Sequence, residues 1–302
     1  MKSLVRHLAE QNYYTAKALW KWGQRRSMQA YGGQPIINYQ MGKVGSSTVQ
    51  ASLVALGLDQ PVYHVHFLNP VRVRQIEQQR RKYFRTERYG RLRRPWLYEF
   101  LYEQIQRKDR RWKLVTLVRE PIARNISTFF ENLEVTEKAD ATAYAVKSAY
   151  YGFDIEVALE RPDPLIELFF ERLVHERPLR YFNDEIRTVF GIDVFDSEFP
   201  RERGFKIYQG DSADLLLVRL ENLDQCAATA FKEFLGVDGF SLVSANVASG
   251  KVYAPLYRAF KRSICLPQDY IDGMYDSKYT RQFYSDEEIQ QFRRRWATGD
   301  SV

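Results

Sequence analysis

One stretch constrains this chain more than any other: a short apolar run that breaks into a glycine turn and then into a hydroxyl-rich helix start. It reads "PIINYQ" (35–40), "MGKVG" (41–45) and "SSTVQASLVALG" (46–57). The first piece has the length of a buried strand, the serines and threonine are helix openers, and Gly57 closes the pattern. A helix leaves its first N–H groups without intrahelical partners, and its dipole backs them with positive charge. Lys43, Val44, Gly45, Ser46, Ser47 and Thr48 therefore form a candidate anion loop, with the amides from Gly45 to Thr48 converging, Lys43 adding a mobile charge, and Gly42 and Gly45 allowing close backbone approach. A nucleoside-triphosphate P-loop needs its lysine after the last glycine, whereas Lys43 precedes Gly45. A serine-rich capping turn without a ligand is the plainer alternative.

The same strand-to-helix unit recurs. "KLVTLVRE" (113–120) is an apolar run followed by Pro121, a favoured first helical residue, and by "IARNISTFFENL". "ADLLLVRLENL" (213–223) leads into "QCAATAFKEFLG", and "PVYHVHFL" (61–68) is a further candidate strand. Strands alternating with helices predict an α/β fold: a P-loop-like three-layer sandwich whose mostly parallel sheet is covered on both faces. Residues 4–28 read as an amphipathic helix, either a packing arm or a membrane-surface helix, with Leu4, Leu8, Ala18, Leu19 and Trp22 on its apolar side. Residues 138–200 read as mostly helical, with loops at Pro162, Pro164 and Pro178 and no evident chemistry. In the last helix, "SDEEIQQFRRRW", Ser285 and Glu288 have capping-box spacing. The expected organisation is an N-terminal helical arm (1–33) and one α/β domain (34–302) carrying a basic helical insertion at 70–112.

Charge narrows the partners. The net charge is +7, yet residues 72–113 hold fifteen Lys or Arg against five Asp or Glu. Such a field concentrates anionic partners, when it is not simply a solvated helix face. No RNP motif, zinc finger or helix-turn-helix is present, so nucleic acid is not the expected partner; an acidic glycan or peripheral contact with a membrane is. Arg6, Glu10, Lys17 and Lys21 interrupt any apolar span in the first thirty residues, and Cys226 and Cys265 are too few for a disulfide framework. A cytoplasmic, membrane-associated at most, metal-free protein is expected.

Two further constellations carry chemistry. In "REPIARNIS", Arg119 closes a strand and Ser127 lies eight residues on, so a guanidinium fork and a hydroxyl can clamp a second anionic group. An ion pair of Arg119 with Glu120, or with another carboxylate at a sheet edge, is the alternative. In "YHVHFLN", His64 and His66 are two residues apart on a strand and share a face. Either can accept a proton near neutrality, and a purely structural pair is equally compatible with the spacing.

"KVGSST" and "REPIARNIS" together resemble the 5′-phosphosulfate loop and the 3′-phosphate motif of sulfotransferases that use 3′-phosphoadenosine 5′-phosphosulfate (PAPS). The resemblance implies sulfuryl transfer from PAPS to a hydroxyl-bearing acceptor, with adenosine 3′,5′-bisphosphate (PAP) as co-product and no metal. "YHVHFLN" is similar to the His-x-His segment of the heparan sulfate 2-O-sulfotransferases, which implies His66 as catalytic base with His64 in support. One departure is that in that group the segment lies close before the 3′-phosphate strand, whereas here basic helices intervene. "SANVASGKVY" sits where the family has a cofactor-covering loop, making Lys251 a candidate contact, and "YDSKYTRQFYSDEEIQQFRRRW" resembles bacterial capsular polysaccharide synthesis proteins. A P-loop phosphotransferase and a non-catalytic binder of anionic glycans or membranes are the other classes compatible with these residues.

Overall fold

The apolar runs become the sheet. The computed structural model describes residues 12–31, 34–81, 93–133, 163–243 and 254–298. Its five strands are β1 (Ile36–Tyr39), β2 (Val62–Val65), β3 (Trp112–Val118), β4 (Phe205–Gln209) and β5 (Ala213–Arg219), ordered β2-β1-β3-β5-β4. All pairings are parallel except the β4–β5 hairpin. Every residue of β1 is buried, as are all but one of β3 and of β5, which is why these strands read as unbroken apolar runs and not as alternating ones. The expected α/β sandwich is thus the architecture observed.

The edge strand β4 was not legible. Its "FKIYQ" mixes buried Phe205 and Tyr208 with partly or fully exposed Lys206, Ile207 and Gln209, the composition of a sheet border. Gly210 closes the hairpin through its N–H to the Ala213 carbonyl at 2.8 Å.

Helices fill the layers. We number them α1 (Tyr13–Gln29), α2 (Ser46–Ala55), α3 (Pro70–Arg81), α4 (Arg93–Gln106), α5 (Pro121–Leu133), α6 (Asp163–Arg172), α7 (Arg177–Tyr181), α8 (Leu223–Leu235), α9 (Ala254–Ser263), α10 (Gln268–Tyr275), α11 (Lys278–Phe283) and α12 (Asp286–Thr298). In α5, Ile122, Ile126, Phe129 and Phe130 form one buried stripe at helical spacing. Pro164 and Pro178 do not mark loops as expected: each lies in the first turn of a helix, α6 and α7, where a missing N–H costs nothing. Pro162 lies outside the described residues. After α7 the helix widens into a π-helical stretch, Phe182–Arg187. The capping box of α12 is present: Ser285 N–H donates to Glu288 Oε2 at 2.8 Å and Glu288 N–H to Ser285 Oγ at 3.3 Å.

The order of strands fixes where a ligand can sit. From β1 the chain goes to β2 on one side, then crosses to β3 on the other, so the connections diverge between β1 and β3. Open α/β sheets bind ligands beyond the carboxyl ends of strands at such a point. The turn after β1, the residues after β2 and the residue after β3 are those of the three constellations.

Candidate functional site

The loop after β1 is built to face amides outward. Lys43 and Gly45 both adopt left-handed backbone, with φ of 70° and 85°. A side chain at Gly45 would also place its Cβ 2.8 Å from Leu220 Cδ1, so glycine is required there twice over. Gly42 has no such demand, since nothing lies within 4 Å of a Cβ built on it. The first intrahelical bond of α2 runs from Val49 N–H to the Gly45 carbonyl, which leaves the amides of Ser46, Ser47 and Thr48 to the first turn. Val44 turns its side chain into the core, so its part in the loop is that of backbone alone. From β1, Asn38 Nδ2 donates to the Ser46 carbonyl at 3.0 Å and to Gln50 Oε1 at 3.1 Å, pinning the helix start to the sheet.

Arg119 ties the turn after β1 to α5. Its Nη1 donates to Ser127 Oγ at 3.1 Å and to the Lys43 carbonyl at 2.8 Å. The alternative pairing with Glu120 is absent, because Glu120 is buried on the other side of the turn. There its carboxylate accepts from the amides of Ile122 and Ala123, each at 2.7 Å, and from Tyr275 OH. Burial pushes the Glu120 carboxyl up from the ordinary range. The backbone of Arg119 is fixed in turn by Tyr279, whose hydroxyl donates to the Arg119 carbonyl at 2.8 Å.

Lys43, Arg119 and Ser127 line one cavity of about 650 Å³ together with Gly45, Ser46, Ser47, Thr48, His64 and His66. The rings of His64 and His66 are 4.9 Å apart, and His66 Nδ1 donates to the Gln40 carbonyl at 2.8 Å. A carbonyl only accepts, so that bond assigns the proton to Nδ1 and leaves the imidazole lone pair on Nε2. His66 lies one residue past the end of β2, not within it. Lys43 Nζ meets Glu131 Oε2 at 2.9 Å, a carboxylate one helical turn beyond Ser127. Lys251 lies outside the described residues.

Besides Glu131, sequence reasoning missed Arg124, Arg177, Tyr181 and Glu185. Arg124 also lines the cavity; its buried Nε donates to the Gly42 carbonyl at 3.2 Å, and burial pushes its guanidinium down to about 10. Consecutive loop carbonyls, Gly42 and Lys43, are thus each held by an arginine, which turns the intervening amides the other way. Arg177 and Tyr181 of α7 line the same cavity, in a segment read as having no chemistry. Glu185, in the π-helical stretch, accepts from the amides of Leu68 and Asn69, both at 2.8 Å, and from Tyr39 OH, which anchors the chain directly after His66 and Phe67. Burial raises the Glu185 carboxyl. The two proline-opened helices were the one available signal. The basic helices were expected to form one wall of an acceptor groove; residues 82–92 of that segment lie outside the described residues, no described residue of α3 or α4 lines the cavity, and Arg72 sits 3.7 Å from the ring of Phe67, which does line it.

The fold and cavity define an α/β protein with a glycine turn, an arginine–serine pair and a histidine pair gathered at the ends of adjacent parallel strands. A family model, NKWYS, described as "Putative capsular polysaccharide synthesis protein", matches residues 154–285, less than half of the chain. The match includes Arg177, Tyr181, Glu185, Leu220, Tyr275 and Tyr279, and reaches the first half of the tail in which a capsular resemblance was read. No curated protein and no solved structure matches the chain. None of the described helices is long and apolar enough to cross a membrane.

Proposed function

We propose that this chain transfers a sulfuryl group from PAPS to a hydroxyl of a carbohydrate acceptor, in the making of a capsule-like polysaccharide. The observation that carries the reading is the contact of Arg119 with both Ser127 and the Lys43 carbonyl, which sets the two anion motifs side by side in one cavity with His66. The capsular description of the matching family supports a glycan as acceptor.

The residues present suit such a donor. Lys43, Arg119, Arg124 and the first-turn amides of α2 offer positive charge for two separate anionic groups, and a cavity of about 650 Å³ is of nucleotide size. PAPS supplies the activated sulfuryl group. Arg119 and Ser127 hold the 3′-phosphate and thereby the register of the donor. His66 Nε2 takes the acceptor proton while the acceptor oxygen bonds to sulfur and the sulfur–oxygen bond to the phosphate breaks. Lys43 and the loop amides hold the negative charge left on that phosphate, a role positioned side chains and dipoles fill without a metal. His64 packs on His66 and restricts its ring. Lys251 is proposed as a further donor contact.

Thermal shift with PAP tests the reading. PAP without Mg²⁺ is expected to stabilise the protein, by about 2.7 kcal/mol at a hundredfold excess over Kd, and Mg-ATP is not. His66→Ala should keep that stabilisation and abolish transfer of labelled sulfuryl groups to glycan acceptors; Arg119→Ala should lose the stabilisation. Stabilisation by Mg-ATP alone would instead favour a phosphotransferase, and salt-sensitive glycan binding indifferent to Lys43→Ala a non-catalytic binder.

A further inference from the structure

The two sides of α1 are treated very differently by the fold. The inner side is pinned to α3 and α4. Lys17 pairs with Glu77 and Glu99, and Lys21 Nζ reaches Glu99 at 2.9 Å and Glu103 at 2.7 Å. Tyr13, Ala16 and Trp96 form a small buried cluster separate from the main core, with Trp96 Nε1 donating to Tyr13 OH at 2.9 Å. These bonds fix which face of the helix points outward.

That outward face is aromatic and basic. Tyr14 is 59% exposed, Leu19 41% and Trp22 56%, and Tyr31 follows just after the helix at 44%. Among the described residues the other large apolar side chains left exposed are scattered valines, so every exposed Tyr, Trp and Leu of this kind belongs to one short stretch. Tyr14, Ala18 and Trp22 succeed one another at four-residue steps, with Leu19 beside them. Guanidinium groups edge the patch: Arg26 lies 4.9 Å from the Trp22 ring, Arg81 4.8 Å from the Tyr14 ring, and Arg25 is half exposed, with Nη2 3.9 Å from Glu103 Oε2 in a long ion pair that lipid phosphate can replace. Between residues 13 and 29 there is no Asp or Glu.

We propose that this face of α1 docks on an anionic lipid surface, with Tyr14, Leu19 and Trp22 entering the headgroup layer and Arg25, Arg26 and Arg81 meeting lipid phosphates. Tyrosine and tryptophan, apolar in body and polar at one end, favour that layer, and each basic residue near an anionic leaflet adds attraction. A second copy of the same face fits poorly, since symmetric pairing would bring the three arginines against themselves. Docking needs no rearrangement, because the salt bridges of Lys17 and Lys21 already orient the helix. The proposal rests on the surface alone and stands apart from the chemistry assigned to the cavity.

Co-sedimentation with vesicles tests it. The full chain is expected to bind phosphatidylcholine vesicles containing about 30% phosphatidylglycerol at least tenfold more tightly than pure phosphatidylcholine, and to be released by raised salt. Two variants at exposed positions, Leu19→Ser with Trp22→Ser, and Arg25→Glu with Arg26→Glu, should each weaken binding at least tenfold. Their thermal midpoints, and any PAP binding, should remain those of the parent chain. Absence of vesicle binding, or binding unchanged in both variants, would overturn the proposal. So would a dimer that forms without lipid and is lost on Trp22→Ser, because a second copy would then cover the face.

Discussion

Glu131 gives the sharpest test of how the cavity is charged. Its carboxylate already satisfies Lys43 at 2.9 Å, so an incoming phosphate must displace it and then share the site with the displaced negative charge. Glu131→Gln removes both obstacles while nearly preserving shape. A hydrogen bond to a charged group is worth roughly 1.5–3 kcal/mol when shielded, and partial exposure of both side chains reduces that to about 1 kcal/mol. Relief of repulsion acts in the same direction, so PAP should bind about tenfold more tightly, the equivalent of about 1.4 kcal/mol. Isothermal titration of PAP into Glu131→Gln, at about 20 mM and again at about 500 mM salt, measures it, with the gain shrinking as screening increases. In a Lys43→Ala background the same substitution should gain much less, because the competition it relieves is for Lys43. Unchanged or weaker binding by Glu131→Gln would refute the reasoning, and with it the role of Lys43 as the loop's working cation.

Other consequences are separable. Gly45→Ala forces a side chain into left-handed backbone, a cost of about 1–2 kcal/mol, so urea denaturation should show that loss and PAP binding should fall with it; a neutral effect would deny the turn its strain. Glu288 both completes the α12 capping box and pairs with buried Arg219, so Glu288→Ala should cost about 2–4 kcal/mol against about 1 kcal/mol for Ser285→Ala, and equal costs in denaturation would dismiss the ion pair. His175 is held neutral by its surroundings: Tyr270 OH donates to Nδ1 and Nε2–H to the Phe169 carbonyl, and burial lowers its pKa below 6.5. The unfolded chain then binds more protons than the folded one in the window just under that value. Stability is accordingly complete above about pH 6.5 and is lost as the pH falls through the lowered pKa. His175→Gln should flatten that acid limb in urea melts, and an identical slope would refute the assignment.

What could be read in advance was what burial and helix termini impose locally. Ile36–Tyr39, Trp112–Val118 and Ala213–Arg219 announce themselves because strands covered on both faces must be apolar throughout. Arg119 and Ser127 meet as their spacing on a strand-to-helix junction allows, with Nη1 3.1 Å from Oγ. Glu185 gave no such sign. Its value comes from accepting two amides more than a hundred residues away, and nothing in "FNDEIR" distinguishes it from Asp184 beside it, whose side chain is exposed and pairs with Arg180. Arg177 is equally mute, since it earns its place only when folding brings its guanidinium 5.2 Å from the ring of Phe67. Fixing the ends of a cavity is a local matter; the rest of its lining is assembled by packing.

The strand order bears on the segment that the matching family covers. Residues 154–285 contain β4 and β5 but not β1, β2 or β3, so all seven residues of β5 pair outward with a strand the segment lacks. Cut free, it would present a bare ladder of leucine and valine backbone, ready to stack on its own kind, and would keep Arg177, Tyr181 and Glu185 while losing the glycine turn after β1. A catalytic assay on such a fragment would therefore report on solubility before it reported on chemistry.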